Sequence, residues 1–302
     1  MPQDPRAPAG DFLTRVRALP TLGLGVSTEY GAAAAPGALD PRALRLAHGC
    51  ADFLEVGVEL SRGLDPAALA WAAEGWPTTY HFLDVNLDDP ADLDDGWLSG
   101  LRALTAQLRP AWLCGDAGLW HFGRRDRGHM LLLPPILIPE AIAPMAAGLR
   151  ALRAATGLEV LPENPPGAAF VGPMHLLDFF GQLAEAADTG LLIDCAHLWM
   201  FQRARGLHPL EALDRLPLDR VIELHIAGGR PTQHEGLNLI EDDHGIDVLP
   251  ETWQIAEHIA ARAPNLKAVI IECERNSVEA ALPLYAECRA RLGAHLPRPE
   301  AR

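Results

Sequence analysis

Apolar residues recur along this chain in short, near-continuous runs that end in polar residues, each followed by a longer Ala- and Leu-rich stretch with helical spacing. The runs are LGLGVS (22–27), DFLEVGVE (52–59), TYHFLDVNL (79–87), AWLCGD (111–116), LEVLPEN (158–164), GLLIDCAH (190–197), RVIELHIAG (220–228) and KAVIIECE (267–274). Between them helical spacing covers 40–50, 65–74, 91–108, 139–155, 173–188, 250–263 and 277–292, with a shorter segment at 209–215 after Pro209. Strands that are apolar on both faces and alternate with helices predict a parallel sheet covered by helices. Eight such units predict an α/β protein built as a single closed (β/α)8 TIM barrel. An open doubly wound sheet is the competing arrangement, but GLG at 23–25 lacks the third glycine of a dinucleotide-binding turn.

The Pro- and Ala-rich residues 1–20 read as an N-terminal arm or short leading helix, 21–292 as one barrel domain, and 293–302 as a C-terminal tail. Two connections, 117–138 and 229–249, are longer than closure of the barrel requires. Both leave from strand carboxyl ends, where barrel enzymes build their sites.

Composition narrows the partners. With 25 Lys and Arg against 40 Asp and Glu, the formal charge of -15 argues against nucleic acid or an anionic membrane as the main partner. The five cysteines form no CxxC pair, and their odd number fits a reducing cytoplasm better than a disulfide framework. MPQDPRAPAGD lacks the basic start and apolar core of a signal peptide, and LLLPPILIP is short and broken by prolines, so a soluble cytoplasmic protein is expected.

Candidate chemistry lies at the ends of the predicted strands, which carry Glu55 and Glu59, His81, Asp116, Glu163 with Asn164, Asp194 with His197, His225, then Glu272 and Glu274. The stretch LPENPP is the sharpest of these endings, because Pro165 and Pro166 cannot continue a central ladder. Taken singly, Glu163 could end a strand in water, His81 or His225 could be a hydrogen-bonded core histidine, and Asp194 or Asp116 could cap the next segment. Taken together, these ends hold carboxylates and imidazoles without a single Lys or Arg. Burying such groups costs several kcal/mol each unless they are paired or bound to metal. Mixed His and carboxylate donors suit Fe, Mn or Zn better than Mg or Ca.

Other motifs carry less. HEG at 234–236 lacks HExxH spacing, Arg124–Arg127 reads as a solvated loop, and the tryptophans as core or helix-packing residues.

With these residues in view, the chain resembles the DUF692 family, the multinuclear non-haem iron-dependent oxidases. The matching elements are FLEVGVE (53–59), YHFLDVNL (80–87), LLLPPILIPEAI (131–142), LPENPPGAAF (161–170), GLLIDCAHLW (190–199), ELHIAGG (223–229), DDHGIDVLPETW (242–253) and IIECE (270–274). The resemblance implies a xylose-isomerase-like TIM barrel with two or three irons in its mouth. It also implies O2-dependent modification of cysteine or nearby residues in ribosomally made peptides, often with a separate protein that presents the peptide. The metal ligands it implies are Glu59, His81, Asp116, Glu163, Asp194, His225, Asp242, His244 and Glu272, with Glu163, Asn164 and His197 beside the reacting groups. The chain departs from the family's pattern within GVSTEYG, at Gly57, at Ala117, at Ala196-His197 and at Gly229, each a place where a family nitrogen or amide donor is missing.

Three readings follow from the sequence. The chain is an iron-dependent oxidase acting on a peptide or small thiol-containing substrate, a metal-dependent sugar isomerase or epimerase of the xylose-isomerase-like type, or a non-catalytic barrel that binds a partner.

Overall fold

The computed structural model describes residues 10–29, 37–123, 131–234 and 237–299. The first nine residues of the predicted arm, Tyr30 and Gly31 of GVSTEYG, the Arg124–Arg127 cluster, Glu235 and Gly236 of HEG and the last three residues lie outside that range.

A short helix, α1 (Phe12–Val16), precedes the first strand, β1 (Gly23–Glu29). The chain then runs α2 (Pro41–Leu46), β2 (Phe53–Val58), α3 (Pro66–Ala73), β3 (Thr78–Phe82), α4 (Asp95–Leu108), β4 (Leu113–Asp116), α5 (Pro139–Thr156), β5 (Val160–Glu163), α6 (Leu176–Ala187), β6 (Leu191–Asp194) and α7 (Cys195–Ala204). It finishes with β7 (Val221–Ala227), a hairpin of β8 (Gly229–His234) and β9 (Leu237–Asp242), then α8 (Pro250–Ala260), β10 (Ala268–Glu272) and α9 (Val278–Leu292). The strands β1-β10-β7-β6-β5-β4-β3-β2 close into one parallel barrel, the predicted (β/α)8 fold.

Because successive strand residues face opposite sides of a sheet, each strand writes two sequences at once. Outward positions such as Leu54, Val56, Leu113, Val160, Ile193, Leu224 and Ile271 are buried in the shell shared with the helices. Inward positions divide by height. Near the amino ends Phe53, Cys114, Leu161, Leu192 and Ile270 fill the interior with an apolar cluster. Two residues further along the same strands stand Glu55, Asp116, Glu163, Asp194 and Glu272. The step of two keeps them on the inward face, one layer nearer the carboxyl ends.

The apolar layer is closed from below by α1. Its cap Asp11 accepts from the Thr14 amide at 2.9 Å, and Phe12 and Val16 join the inner cluster. Arg15 on the same turn is buried and bonds Glu159 Oε2 and Asp188 Oδ2, both at 2.9 Å, which ties the helix to the β5 and β6 edge of the barrel floor. The leading segment is thus a plug for the barrel. Close packing also limits the outer shell: a Cβ on Gly148 of α5 would stand 1.8 Å from the Leu87 carbonyl oxygen.

Three predicted boundaries shift. The 79–87 run stops pairing at Phe82, where Asp84 Oδ2 takes the Leu60 amide at 2.8 Å in place of a ladder bond. The 190–197 run is a strand only to Asp194, whose carboxylate caps α7 and turns Cys195–His197 into helix. Residues 209–215 form turns, with Ala212 at φ 64° and the Gln202 amide bonded to the Glu211 carbonyl at 2.8 Å, which removes an acceptor that helix propagation would need. No described helix is long and apolar enough to cross a membrane.

Replacing Phe12 with Ala is expected to destabilise the chain by about 3–5 kcal/mol, the cost of emptying a fully buried aromatic site. A fall in the urea midpoint with unchanged slope is the expected measurement, and an unshifted midpoint would show that α1 does not close the barrel.

Candidate metal centre

The inward acids and imidazoles meet in a cavity of about 220 Å³ at the carboxyl ends of the strands. His81 of β3 places Nε2 2.7 Å from Glu163 Oε2 and 4.0 Å from Asp116 Oδ2. His225 of β7 lies at the centre, with Nδ1 3.4 Å from Glu163 Oε1 and 3.3 Å from Glu272 Oε1, and Nε2 3.0 Å from Glu55 Oε1. From the loop side, His244 Nε2 stands 3.4 Å from Asp242 Oδ2, and its Nδ1 is 2.9 Å from Glu274 Oε2. His197 reaches in from the first turn of α7. Its Nδ1 donates to the Asn164 carbonyl at 2.9 Å, which turns Nε2 toward Asp242 Oδ2 at 3.1 Å.

The site is electrostatically unbalanced. Glu55, Asp116, Glu163, Asp194, Glu223, Asp242, Glu272 and Glu274 face four imidazoles, and Arg275 is the one arginine or lysine among the described residues lining the cavity. Burial pushes Asp194 and Glu223 up to about 8 and drives Asp116 well above the carboxylate range, with Glu163 adding to the last. Burial opposes the charge on Glu163 too, yet the His225 and His81 rings carry it below its ordinary value. Burial alone would lower His81, but Glu163 and its neighbours bring it up to about 9, and His197, His225 and His244 are raised well above the imidazole range for the same reason. Protons and metal cations therefore compete for one set of lone pairs.

The donor set fits metal ions. Asp116 Oδ1, Asp194 Oδ2, Glu223 Oε1, Asp242 Oδ1, Glu272 Oε2 and both ring nitrogens of His225 are buried atoms with no hydrogen-bond partner among the described residues. Buried polar atoms of this kind are uncommon and costly. Two donors that share an ion at about 2.1 Å in a tetrahedral arrangement stand about 3.4 Å apart. The edges from His225 Nδ1 to Glu163 and Glu272 are of that length. Ligand atoms of His81, Asp116 and Glu163, of Glu163, Asp194 and His197, of Asp194, His225 and Glu272, and of His244, Glu272 and Glu274 each lie within 4.8 Å of one another.

Residues 39–291 match the model of the RiPP precursor modification enzymes MbnB/TglH/ChrH. The chain belongs to that family. A UPF0276 protein of Neisseria meningitidis serogroup C is 27% identical over 222 residues, spanning 72% of this chain and 75% of its own. A UPF0276 protein of Pasteurella multocida is 26% identical over 241 residues, with 72% and 76% covered. Among solved structures, a xylose isomerase-like TIM barrel protein from Mycobacterium smegmatis in complex with magnesium superposes with a TM-score of 0.56 at 14% identity, covering 91% of this chain and 98% of that one. Endonuclease IV from Thermus thermophilus superposes with a TM-score of 0.54 at 18% identity, with 89% and 98% covered. At those identities the likeness is one of fold.

Within this MbnB/TglH/ChrH family member, His81, Asp116, Glu163, Asp194, His225, Asp242, His244 and Glu272 share the cavity or its wall, and His197 joins them. Two expectations are corrected. Glu59 follows the end of β2 and stands outside the shared donor sets, with Ser61 donating to Oε1 at 2.5 Å and Arg62 2.9 Å from Oε2, an oxygen that makes no hydrogen bond among the described residues. Asn164 does not face the reacting groups: its Nδ2 donates to the Asp194 carbonyl at 2.9 Å and its Oδ1 accepts from the Asp194 amide at 3.0 Å. Beyond Glu163 the two prolines end the ladder, and the Asn164 amide continues it as a side-chain strap from β5 to β6. Asp194 Oδ1 caps α7 through the His197 amide at 2.5 Å, while Oδ2 is buried with no hydrogen-bond partner among the described residues.

Sequence reasoning passed over Glu223, the inward residue two positions before His225, and gave Glu55 and Glu274 no role. The signal for all three is strand parity with a neighbouring candidate. The departures also have places: Gly57 lines the cavity in register with His81, and Ala117 is buried. Gly229 opens the hairpin that carries Asp242.

Replacing Asn164 with Ala strips partners from both backbone groups of Asp194 and is expected to cost about 2–3 kcal/mol. Chemical denaturation of the metal-free protein measures it. A cost below about 0.5 kcal/mol would mean that the strap does not hold β6.

Proposed function

We propose that this chain holds iron in the barrel mouth and uses O2 to modify a cysteine-containing peptide. The observation that carries the reading is the sharing of carboxylates: Glu163, Asp194 and Glu272 each belong to two adjacent donor sets. A carboxylate has two oxygens and can serve neighbouring ions, so a chain of shared acids suits a multinuclear centre better than isolated sites. His81, Asp116 and Glu163 would hold one end, Glu163, Asp194, His225 and Glu272 the middle, and Asp242, His244, Glu272 and Glu274 the other end. Mn or Zn would fit the same donors, but Zn lacks redox chemistry. Bound iron would supply electron transfer to O2 and open positions for a substrate donor.

The chain's own groups do the rest. Trp120, Leu132 and Pro166 line the mouth and give it an apolar wall that limits entry of water. Close in sequence to these three, Phe122, Leu133, Ile136 and Val171 are large exposed apolar side chains. Exposed apolar side chains on segments that also line a charged cavity suit a peptide, or a protein presenting one, better than a small hydrophilic sugar. The missing family donors at Gly57, Ala117 and Gly229 reduce the nitrogen ligands available, and His197 supplies an imidazole from α7 in partial replacement.

Anaerobic reconstitution with Fe(II), followed by metal analysis, is expected to return stoichiometric iron, and E163Q and E272Q are expected to lose more than one ion each because each acid is shared. O2 uptake with a panel of cysteine-containing peptides, and a mass change in the peptide, is the expected activity. A wild-type chain that binds no metal after reconstitution would overturn the reading. Metal should also raise the unfolding free energy by about 2.7 kcal/mol at a hundredfold excess over Kd, with the gain abolished by a chelator. A melting curve indifferent to Fe(II) and to chelator would count equally against it.

A further inference from the structure

We infer that Glu55 is a positioning residue that determines which nitrogen of His225 is turned to the metal centre. The inference rests on the metal-binding reading of the mouth, and concerns a residue that lines the same cavity. Glu55 stands at an inward position of β2 and reaches across the barrel to β7, placing Oε1 3.0 Å from His225 Nε2. Its other oxygen is already engaged: Oε2 accepts from the Thr79 hydroxyl and the Cys114 thiol, both at 3.0 Å. These two donors, from β3 and β4, keep Glu55 an acceptor and aim Oε1 at the ring.

Neither ring nitrogen of His225 is aligned for a hydrogen bond among the described residues, but Glu55 Oε1 is the carboxylate oxygen nearest to either of them, and the nearer acceptor draws the ring proton to Nε2. Nδ1 is then left with its lone pair toward Glu163 Oε1 and Glu272 Oε1, at 3.4 and 3.3 Å, where only a shared cation makes the approach favourable. A histidine that binds metal through one nitrogen commonly donates the other N–H to a carboxylate, which fixes the tautomer and strengthens the donor. Glu55 is 1% exposed and His225 fully buried, so water does not substitute for the carboxylate.

Glu55, Glu223 and His225 lie close enough to surround an ion of their own. The hydrogen bonds favour the positioning role. One oxygen of Glu55 is occupied by two donors, and Glu223 Oε2 is held by the Trp112 indole N–H at 2.7 Å. Glu223 Oε1 is a buried oxygen with no hydrogen-bond partner among the described residues, as are Asp116 Oδ1, Asp194 Oδ2 and Glu272 Oε2, so the number of ions lost in the variant below separates a positioning Glu55 from a ligand.

The isosteric variant E55Q makes the idea sharp. Thr79 and Cys114 require an acceptor, so the glutamine carbonyl turns to them and its NH2 faces His225. The ring must then accept at Nε2 and carry its proton on Nδ1, the atom needed for metal. Removing both donors, in E55Q/T79V/C114A, lets the amide rotate and restores the original tautomer.

The test begins with the unaltered chain, labelled with 15N-histidine and loaded anaerobically with Zn(II). His225 is expected to show a metal-bound Nδ1 and a protonated Nε2 in its imidazole nitrogen shifts and N–H couplings. A metal-bound Nε2 would overturn the inference, and this measurement needs no variant to fold. Fe(II) affinity, measured by competition with a chelator, is then expected to fall about 10–100-fold in E55Q and to recover in the triple variant. The metal-free melting temperature of E55Q should stay level or rise, since an acid is removed from an acid-rich interior. Wild-type affinity in E55Q would overturn the inference, as would loss of one ion per chain with the others bound normally, which would make Glu55 a ligand. If the unaltered chain takes up neither Zn(II) nor Fe(II), the failure lies with the metal reading itself.

Discussion

Like charges gathered in a low-dielectric space set the terms for this molecule. Eight carboxylates meet four imidazoles in the barrel mouth, and the interaction between two charges a few ångströms apart is many times stronger there than in water. Such an arrangement persists only if positive charge is drawn in, as protons on the acids and rings or as metal ions between them. The raised imidazoles and the acids pushed to about 8 are the proton solution. Shared oxygens of Glu163, Asp194 and Glu272, with donor edges near those of a common ion, are suited to the metal solution.

The rest of the fold makes that crowding affordable. The apolar floor built from Phe53, Leu161, Leu192 and Ile270, closed by α1, stabilises the barrel independently of the mouth. Stability is concentrated at one end and chemistry at the other, the division seen generally in this architecture. Between them lies a polar seam in which Thr79, Cys114 and Trp112 donate to Glu55 and Glu223.

Family membership and site geometry have different reach. The match over 39–291 places the chain in the MbnB/TglH/ChrH family, while the superposed barrels, one in complex with magnesium and one an endonuclease, share only the fold. What distinguishes this member lies in its own substitutions. Gly57 leaves space beside His81, and His197 enters from a helix where the preceding residues form a strand. Asp194 caps that helix and so delivers the imidazole to the cavity wall.

The order of strands and helices, the closed barrel and the rim on which acids and imidazoles gather were legible in the sequence, because hydrophobic period and strand-ending polar residues are local properties. Strand parity is local as well, and it would have brought in Glu223 beside His225. Direction and partnership are not local. Whether Asn164 points at a substrate or straps Asp194, whether Glu59 joins the cavity or an arginine one turn on, and whether 229–249 is loop or hairpin depend on contacts between residues far apart in the chain or on the exact end of a strand. Glu55 and His225 are 170 positions apart, and no pattern along the chain links them. Closure of the barrel alone sets them 3.0 Å from one another, because only a closed sheet brings β2 and β7 to face across one axis.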